Sequence, residues 1–481
     1  MKKLFQNRLL IWTAAIALGL PLSSFAAGKN PPAKLTVDST PVERDMRSGQ
    51  SYSPVIKKAS ASVVKIGVIQ TVELPRFHRF FDEAPLRRPG AGSGVIVSED
   101  GYILTNNHVV DDADENKIEV VLGDGKTTYK ARVVGTDPKT DLALLKIDAA
   151  NLPAITMGDS DKLEVGDVVL AIGNPFDLGQ SVSLGIISAL GRGVNMAEYE
   201  DFIQTDAAVN QGNSGGALVD ARGRLIGINQ SIASPFGGNV GIAFAVPVNL
   251  AKTVVEQLVN DGMVKRGFLG VKIQEVTPNL VKAFDLPDAG GALVSEVQPN
   301  TPAAKAGIQS GDVIVQVNGK KASDSQHARL LIAQNRPGSE VKLAIYRDGR
   351  EKTITTKLGE IAPNGTATIR ERESSKKSER DSLDGVEVDD LTGTVRRELG
   401  IPTGIEGALV TGVASDSNAY EAGLREGNVI RSINRVAVDS ADKAVKLSDA
   451  ADGEQVLLHV WQRNGPVSGS LYLTVDNLKK K

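Results

Sequence analysis

"GNSGGALVDARGRLIGIN", Gly212 to Asn229, decides what kind of fold surrounds the most suggestive serine of the chain. Ser214 stands among Gly212, Gly215 and Gly216, which permit backbone angles that aim successive N–H groups at one point. Taken alone, this is a glycine turn that holds a serine. The string also satisfies the loose pattern G-x-S-x-G, in which a serine rides an elbow between a strand and a helix. Residues 217–229 read instead as strand, Arg-Gly turn, strand. Such an elbow also needs its histidine later in the chain, and the later histidines, His327 and His459, fall in a different part of the sequence. Ser214 therefore belongs to an all-β setting.

Working outward, short runs rich in Val, Ile and Leu recur from about Ser60 to Val246. They include "SVVKIGVI", "GSGVIVSEDGYILTN", "IEVVLGDGKTTYKARVVG", "DLALLKI" and "DVVLAIG", several joined by Asp-Gly turns. Many short strands with tight turns predict a barrel or sandwich. The pattern then changes. "PVNLAKTVVEQLVNDG" places Leu250, Val254, Val255, Leu258 and Val259 at helical spacing, with Asn249 expected as its N-cap and Gly262 as its stop. Beyond it lies an internal repeat. "GALVSEVQPNTPAAKAGIQSGDVIVQVNG" from Gly291 and "GALVTGVASDSNAYEAGLREGNVIRSINR" from Gly407 align without a gap at an offset of 116 residues. "IRERESSKKSERDSLDG" between them reads as a solvated linker.

Composition narrows the function. The length of 481 residues suggests about three domains. The net charge of −3 lacks the basic excess of a nucleic-acid binder. "MKKLFQNRLLIWTAAIALGLPLSSFAAG" has a basic start, a short apolar run and small residues before Ala26, the marks of a cleavable export signal. Cleavage after Ala26 would remove Lys2, Lys3 and Arg8 and take the charge from −3 to −6, leaving no stable membrane span. There is no cysteine, so no disulfide, thiol nucleophile or Cys/His metal site forms.

A serine that attacks acyl groups needs a base, a carboxylate that sets the base's tautomer, and donors for the oxyanion. His108, at the end of the strand pattern "GYILTNNHVVDD", is the better placed histidine. His78, in "PRFHRFF", reads as a surface histidine. Asp141 opens "DLALLKI" and can serve as the carboxylate, although spacing alone does not select it over other loop acids. The N–H groups of Gly212 and Ser214 can form the oxyanion hole.

"TNNHVV", "TDLALLKI" and "GNSGGALV", in that order and ahead of two repeats, resemble the HtrA family (DegP/DegQ type) of serine proteases, and the repeats resemble its two PDZ domains. The resemblance runs from about Ser53 to Asp476 and implies neither a metal nor a cofactor. It implies a mainly β chain, a chymotrypsin/trypsin-like double β-barrel followed by two PDZ domains, with His108 as general base, Asp141 as its partner and Ser214 as nucleophile. It places the oxyanion donors at Gly212, Asn213 and Ser214, and the S1 pocket at Val209, Ile232 and Ile242, suited to small aliphatic side chains. Asn213 stands where digestive enzymes of this fold carry an aspartate that pairs with a new N-terminus. Activation by loop rearrangement is therefore expected, through about Thr71–Ala91, Asn174–Ser181, Gly191–Phe202 and Ser231–Gly241, with Arg192 as a relay. In the first PDZ domain, Gly267, Phe268, Leu269 and Gly270 match the loop that takes a peptide carboxylate. The second repeat lacks an obvious equivalent and carries Asn428 in place of Asp312.

The expected organisation is a signal peptide at 1–26, a flexible mature N-terminus at 27–52, the protease domain at 53–262, PDZ domains at 263–360 and 383–478, and a charged linker at 361–382. The resemblance further implies a periplasmic, ATP-independent endopeptidase of unfolded proteins that binds C-terminal peptides and forms a homo-oligomer, a trimer or multiples. The alternative is a chaperone or peptide-binding module that rarely cuts.

Overall fold

The computed structural model describes residues 35–40, 51–72, 86–114, 117–174, 179–234, 238–360, 383, 385–464 and 467–477. The signal segment, the linker at 361–382 and His78 lie outside them. A short helix, α1 (Ser53–Ser60), leads into twelve strands. The first six are β1 (Val63–Val72), β2 (Leu86–Ile96), β3 (Tyr102–Thr105), β4 (Glu119–Val121), β5 (Thr128–Asp137) and β6 (Leu142–Ile147), with α2 (Asn107–Val110) after β3. They close into an antiparallel barrel in the order β1-β2-β3-β6-β5-β4. The second six are β7 (Val168–Gly173), β8 (Ser181–Arg192), β9 (Phe202–Thr205), β10 (Ala217–Asp220), β11 (Leu225–Ile232) and β12 (Ala243–Pro247). They close in the order β10-β11-β12-β9-β8-β7.

The apolar runs are nearly continuous because these strands are buried on both faces. In β3 and β6, Ile103, Ala143, Leu145 and Ile147 fill the first barrel, while Tyr102, Leu104, Leu142 and Leu144 face the core shared with the second. In β10 and β11, Leu218 and Ile226 fill the second barrel, and Ala217, Val219, Leu225 and Ile228 face that shared core. Each fully buried Leu or Ile contributes about 1.5–3 kcal/mol. The two barrels are thus one packed unit, and the seam between them is rigid.

Helix α3 (Val248–Asp261) closes the protease unit, with Leu250, Val254, Val255, Leu258 and Val259 in the shared core. Gly262 ends it as expected, at φ 70°, donating to Leu258 O. Asn249 does not cap its start. β12 runs straight into the helix through Pro247, whose ring presets the backbone, so Asn249 falls inside the first turn. Its Nδ2 donates to Asp159 Oδ1 at 2.8 Å instead. Residues 35–40, inside the stretch expected to be flexible, lie along the second barrel. Val37 bridges Met157, and Arg224 donates to Thr40 O at 2.5 Å.

The repeat offset reappears in space. Strands Ala292–Val297 and Val313–Val317 and helix Ser325–Ala333 recur as Ala408–Val413, Val429–Ile433 and Ala441–Asp449, each 116 residues on. The two PDZ sheets also touch. His459 Nε2 donates to Ser295 O at 2.8 Å and its ring stacks on Tyr472, which meets Phe284 edge-on. Asp312 is locked to Arg347 at 2.6 Å, whereas Asn428 only receives Arg425 N at 3.0 Å. Among the described residues, no helix is long and apolar enough to cross a membrane.

Candidate active site

His108 enters on the first turn of α2. The chain leaves fully buried β3 through Asn106, in extended backbone, and Val109 and Val110 anchor the turn below. The imidazole is left 49 % exposed at the seam. Asp141 ends the turn before β6 at φ 56°, a conformation aspartate tolerates better than most residues. Asp137 holds that turn, accepting Thr140 Oγ1 at 2.5 Å. Asn106 Nδ2 and Asn107 N both donate to Asp141 O, at 2.9 and 3.1 Å, tying the turn to the exit of β3. Asp141 Oδ1 then accepts His108 N at 2.9 Å, and Oδ2 lies 2.6 Å from His108 Nδ1. The carboxylate fixes the proton on Nδ1 and leaves Nε2 as the basic nitrogen.

Ser214 comes from the second barrel, on the loop between β9 and β10. Gly212 (φ 95°) and Gly215 (φ 82°) both need left-handed backbone, and a Cβ on Gly215 would run into Ser93 O and Thr105 Oγ1. Asn213 N donates to Asn210 O at 3.0 Å and is spent within its own turn. The N–H groups of Gly212 and Ser214 have no acceptor among the described residues. The Ser214 hydroxyl donates to Gln230 O at 2.9 Å, so in this state it points along β11. The Asn213 side chain is buried against Gly173, with its Oδ1 unpartnered.

Two residues of this site escape sequence reading. Ser93, on β2 and fully buried, crosses the seam to hold the nucleophile loop. Its N donates to Ser214 O at 2.8 Å, its Oγ to Gly212 O at 2.7 Å, and its Oγ accepts Asn174 N at 2.8 Å. The glycines on either side of Ser93 are the available signal, since they allow close backbone approach. Gln230 sits where the β11–β12 register shifts, and that bulge turns its side chain inward. Its Nε2 donates to Asp141 Oδ2 at 3.2 Å. Nothing in the sequence marks it.

The other expected residues are spread around this centre. Val209 is buried in the second barrel with Ile232 packed against the same cluster, while Ile242 is 38 % exposed. Arg192, at the end of β8, donates to Gln204 Oε1 at 3.1 Å. The β1–β2 hairpin runs to a Val72–Leu86 pair, well into the first expected loop. In the first PDZ domain Gly267 N donates to Asn335 O at 2.7 Å, and Leu269 is buried. The N–H groups of Leu269 and Gly270 have no acceptor among the described residues. Gly270, at φ 87°, lies so close to Thr301 that a Cβ there would collide with it.

The domain that carries this loop docks on the protease through ion pairs. Arg266 bonds buried Asp137, four residues before Asp141, at 2.5 Å, and Arg329 bonds Glu198 at 2.8 Å. Tyr199 lies between, its N donating to Lys139 O at 2.9 Å and its ring facing Arg266 and Arg329.

Residues 92–228 match the trypsin-like peptidase domain, and 267–358 and 409–462 each match a PDZ domain. The chain is 39 % identical over 472 residues to the periplasmic serine endoprotease DegP of Escherichia coli K12, covering 91 % of this chain and 93 % of that one. It belongs to the HtrA/DegP family of serine endoproteases. A probable periplasmic DegP-like endoprotease of Chlamydia trachomatis is 42 % identical over 396 residues, 80 % of this chain and 77 % of the relative. The HtrA-type protease AlgW, solved with a decapeptide, is 44 % identical with a TM-score of 0.53, over 65 % of this chain and all of that one. As an HtrA-family chain it is a serine endopeptidase whose trypsin-like double barrel is followed by two PDZ domains, as expected from its motifs.

Proposed function

We propose that His108, Asp141 and Ser214 perform the hydrolysis. The observation that carries this is the double grip of Asp141 on His108, which leaves Nε2 as the basic nitrogen, with Gln230 joining the same carboxylate to the Ser214 hydroxyl. Ser214 rotates from Gln230 O to His108 Nε2, loses its proton to that nitrogen as it attacks the scissile carbonyl, and forms a tetrahedral adduct. Gly212 and Ser214 N–H groups receive the oxyanion, and Asn213 shapes the turn that aims them. The imidazolium returns the proton to the leaving amine, and water repeats the sequence to release the acyl group. Val209, Ile232 and Ile242 form an S1 pocket without a counter-ion, which favours small aliphatic side chains.

The parked hydroxyl describes a resting enzyme, switched on by loop movement and not by N-terminal insertion, since the neutral Asn213 cannot form an ion pair with a new N-terminal amine. Arg192 and loop Gly191–Phe202 relay that movement. Leu269 and Gly270, with Gly267 and Phe268 shaping the loop, hold the C-terminal carboxylate of a bound peptide. The substrates are unfolded exported proteins, cut without ATP in the periplasm after signal cleavage, by an oligomer built of trimers. Purified Ser214→Ala should lose degradation of unfolded casein. Degradation at the wild-type rate by that variant would overturn the mechanism.

A further inference from the structure

Between the second barrel and the first PDZ domain lies a cleft of about 580 Å³. Across most of this junction, cations of the PDZ domain meet carboxylates of the protease. Lys320 bonds Asp161 at 2.5 Å, and Arg336 lies 3.7 Å from Asp261, in addition to the Arg266 and Arg329 pairs. The cleft breaks that pattern. Asp201, at the foot of loop Gly191–Phe202, faces it without a hydrogen-bond partner among the described residues, and Asp324 and His327 face it from the PDZ domain.

We propose that this cleft is a proton-operated clasp, in which protonated Asp201 lets the PDZ domain dock on loop Gly191–Phe202 and ionised Asp201 repels it through Asp324.

Every charged group around Asp201 bears on this. Burial, then Asp161 and Asp324, push its carboxyl up to about 7, against the pull of Lys320. Lys321 and Glu275 lie at the cleft's edge. Its neighbour Glu200 is spent on the loop itself, accepting N–H groups of Val194, Asn195, Met196 and Ala197. The docked state keeps a proton that the released state, freed of Asp324 and of the PDZ domain's share of the burial, gives up at lower pH, so docking weakens as pH rises towards about 7 and is flat beyond. The full displacement sets an upper limit of about a thousandfold on the change in the docking equilibrium, and the share due to Asp161 on the protease lies outside it. His327 acts in the opposite sense. Ser323 N donates to its Nδ1 at 3.3 Å, marking the neutral ring, and burial lowers its pKa, so protonating it opposes docking in acid.

Docking matters to the proposed site because the same loop reaches the Asp141 turn through Tyr199 and Lys139. The clasp rests on that reading only for its consequence, and its test does not require activity. Because the chain lacks cysteine, Glu99→Cys and Lys352→Cys, both exposed, give one labelled pair between the protease and the PDZ domain. Spin-label distances in full-length protein, diluted with unlabelled chain, report the docked fraction. Between about pH 5.5 and about pH 8 the docked fraction should fall in the parent and stay high in Asp201→Asn. His327→Gln should keep that fall and lose the opposing acid limb, and Asp324→Asn should move its upper end to lower pH. An unchanged distance distribution across this range in the parent, or the same fall in Asp201→Asn, would overturn the clasp. Casein cleavage that persists at the wild-type rate in Ser214→Ala, with intact distance changes, would count against the protease reading alone.

Discussion

Ser93→Ala removes one oxygen from a site it does not share with substrate. The hydroxyl is fully buried, donates to Gly212 O at 2.7 Å and accepts Asn174 N at 2.8 Å. Alanine leaves both backbone groups without that partner, at a cost of about 1–3 kcal/mol each. The pair therefore costs about 2–6 kcal/mol, which for a protease domain of this size lowers its melting transition by roughly 4–24 °C. Catalysis should suffer separately. Gly212 O and Ser214 O are the two points at which the first barrel holds the nucleophile loop, and one is lost. The oxyanion N–H groups then remain but are no longer held on target. Deleting such a donor outright costs about a hundred- to a thousandfold, so misaiming should cost about ten- to a hundredfold in kcat/KM. Steady-state cleavage of a peptide substrate with saturating C-terminal activator, alongside calorimetry, measures both. Ser93→Ala within twofold of the parent in kcat/KM, with an unchanged transition, would refute the reasoning.

Gly270→Ala places a side chain against Thr301 at a left-handed φ of 87°, and should weaken binding of a C-terminal peptide at least about tenfold by fluorescence polarisation. Arg266→Ala strands the buried Asp137 carboxylate beside the Asp141 turn and should destabilise the docked arrangement by about 3–5 kcal/mol, read as lower cleavage and easier proteolysis after Gly262. Burial between the PDZ domains holds His459 down to about 4 from its ordinary 6.5. Separated domains take up that proton first, so their packing loses strength as pH falls from about 6.5 towards 4. Calorimetry should show that dependence in the parent and its loss in His459→Gln.

Much of the architecture is legible because it is written in local patterns. Strands buried on both faces give uninterrupted apolar runs, and the repeat offset of 116 carries through to matching helices and strands. The start of α3 departs from its local pattern because capping depends on where β12 releases the chain, and Pro247 decides that two residues before Asn249. The site is legible in part. His108, Asp141 and Ser214 occur in a suggestive order, but the choice of Asp141 needs the fold, where its carbonyl and both carboxylate oxygens are tied to the exit of β3. Ser93 and Gln230 act through contacts 119 and 89 residues away in sequence, which no local pattern announces. The buried His459 and the half-enclosed Asp201 likewise owe their character to domains that pack only after folding.

The central claim is that Ser214 is a nucleophile made reactive by His108. A fluorophosphonate probe tests it most directly, with the labelled peptide located by mass spectrometry in the presence of a C-terminal activating peptide. The label should fall on Ser214 in the parent and be absent in Ser214→Ala and in His108→Ala, both folded. Labelling at another residue, or undiminished labelling of Ser214 without His108, would contradict the account.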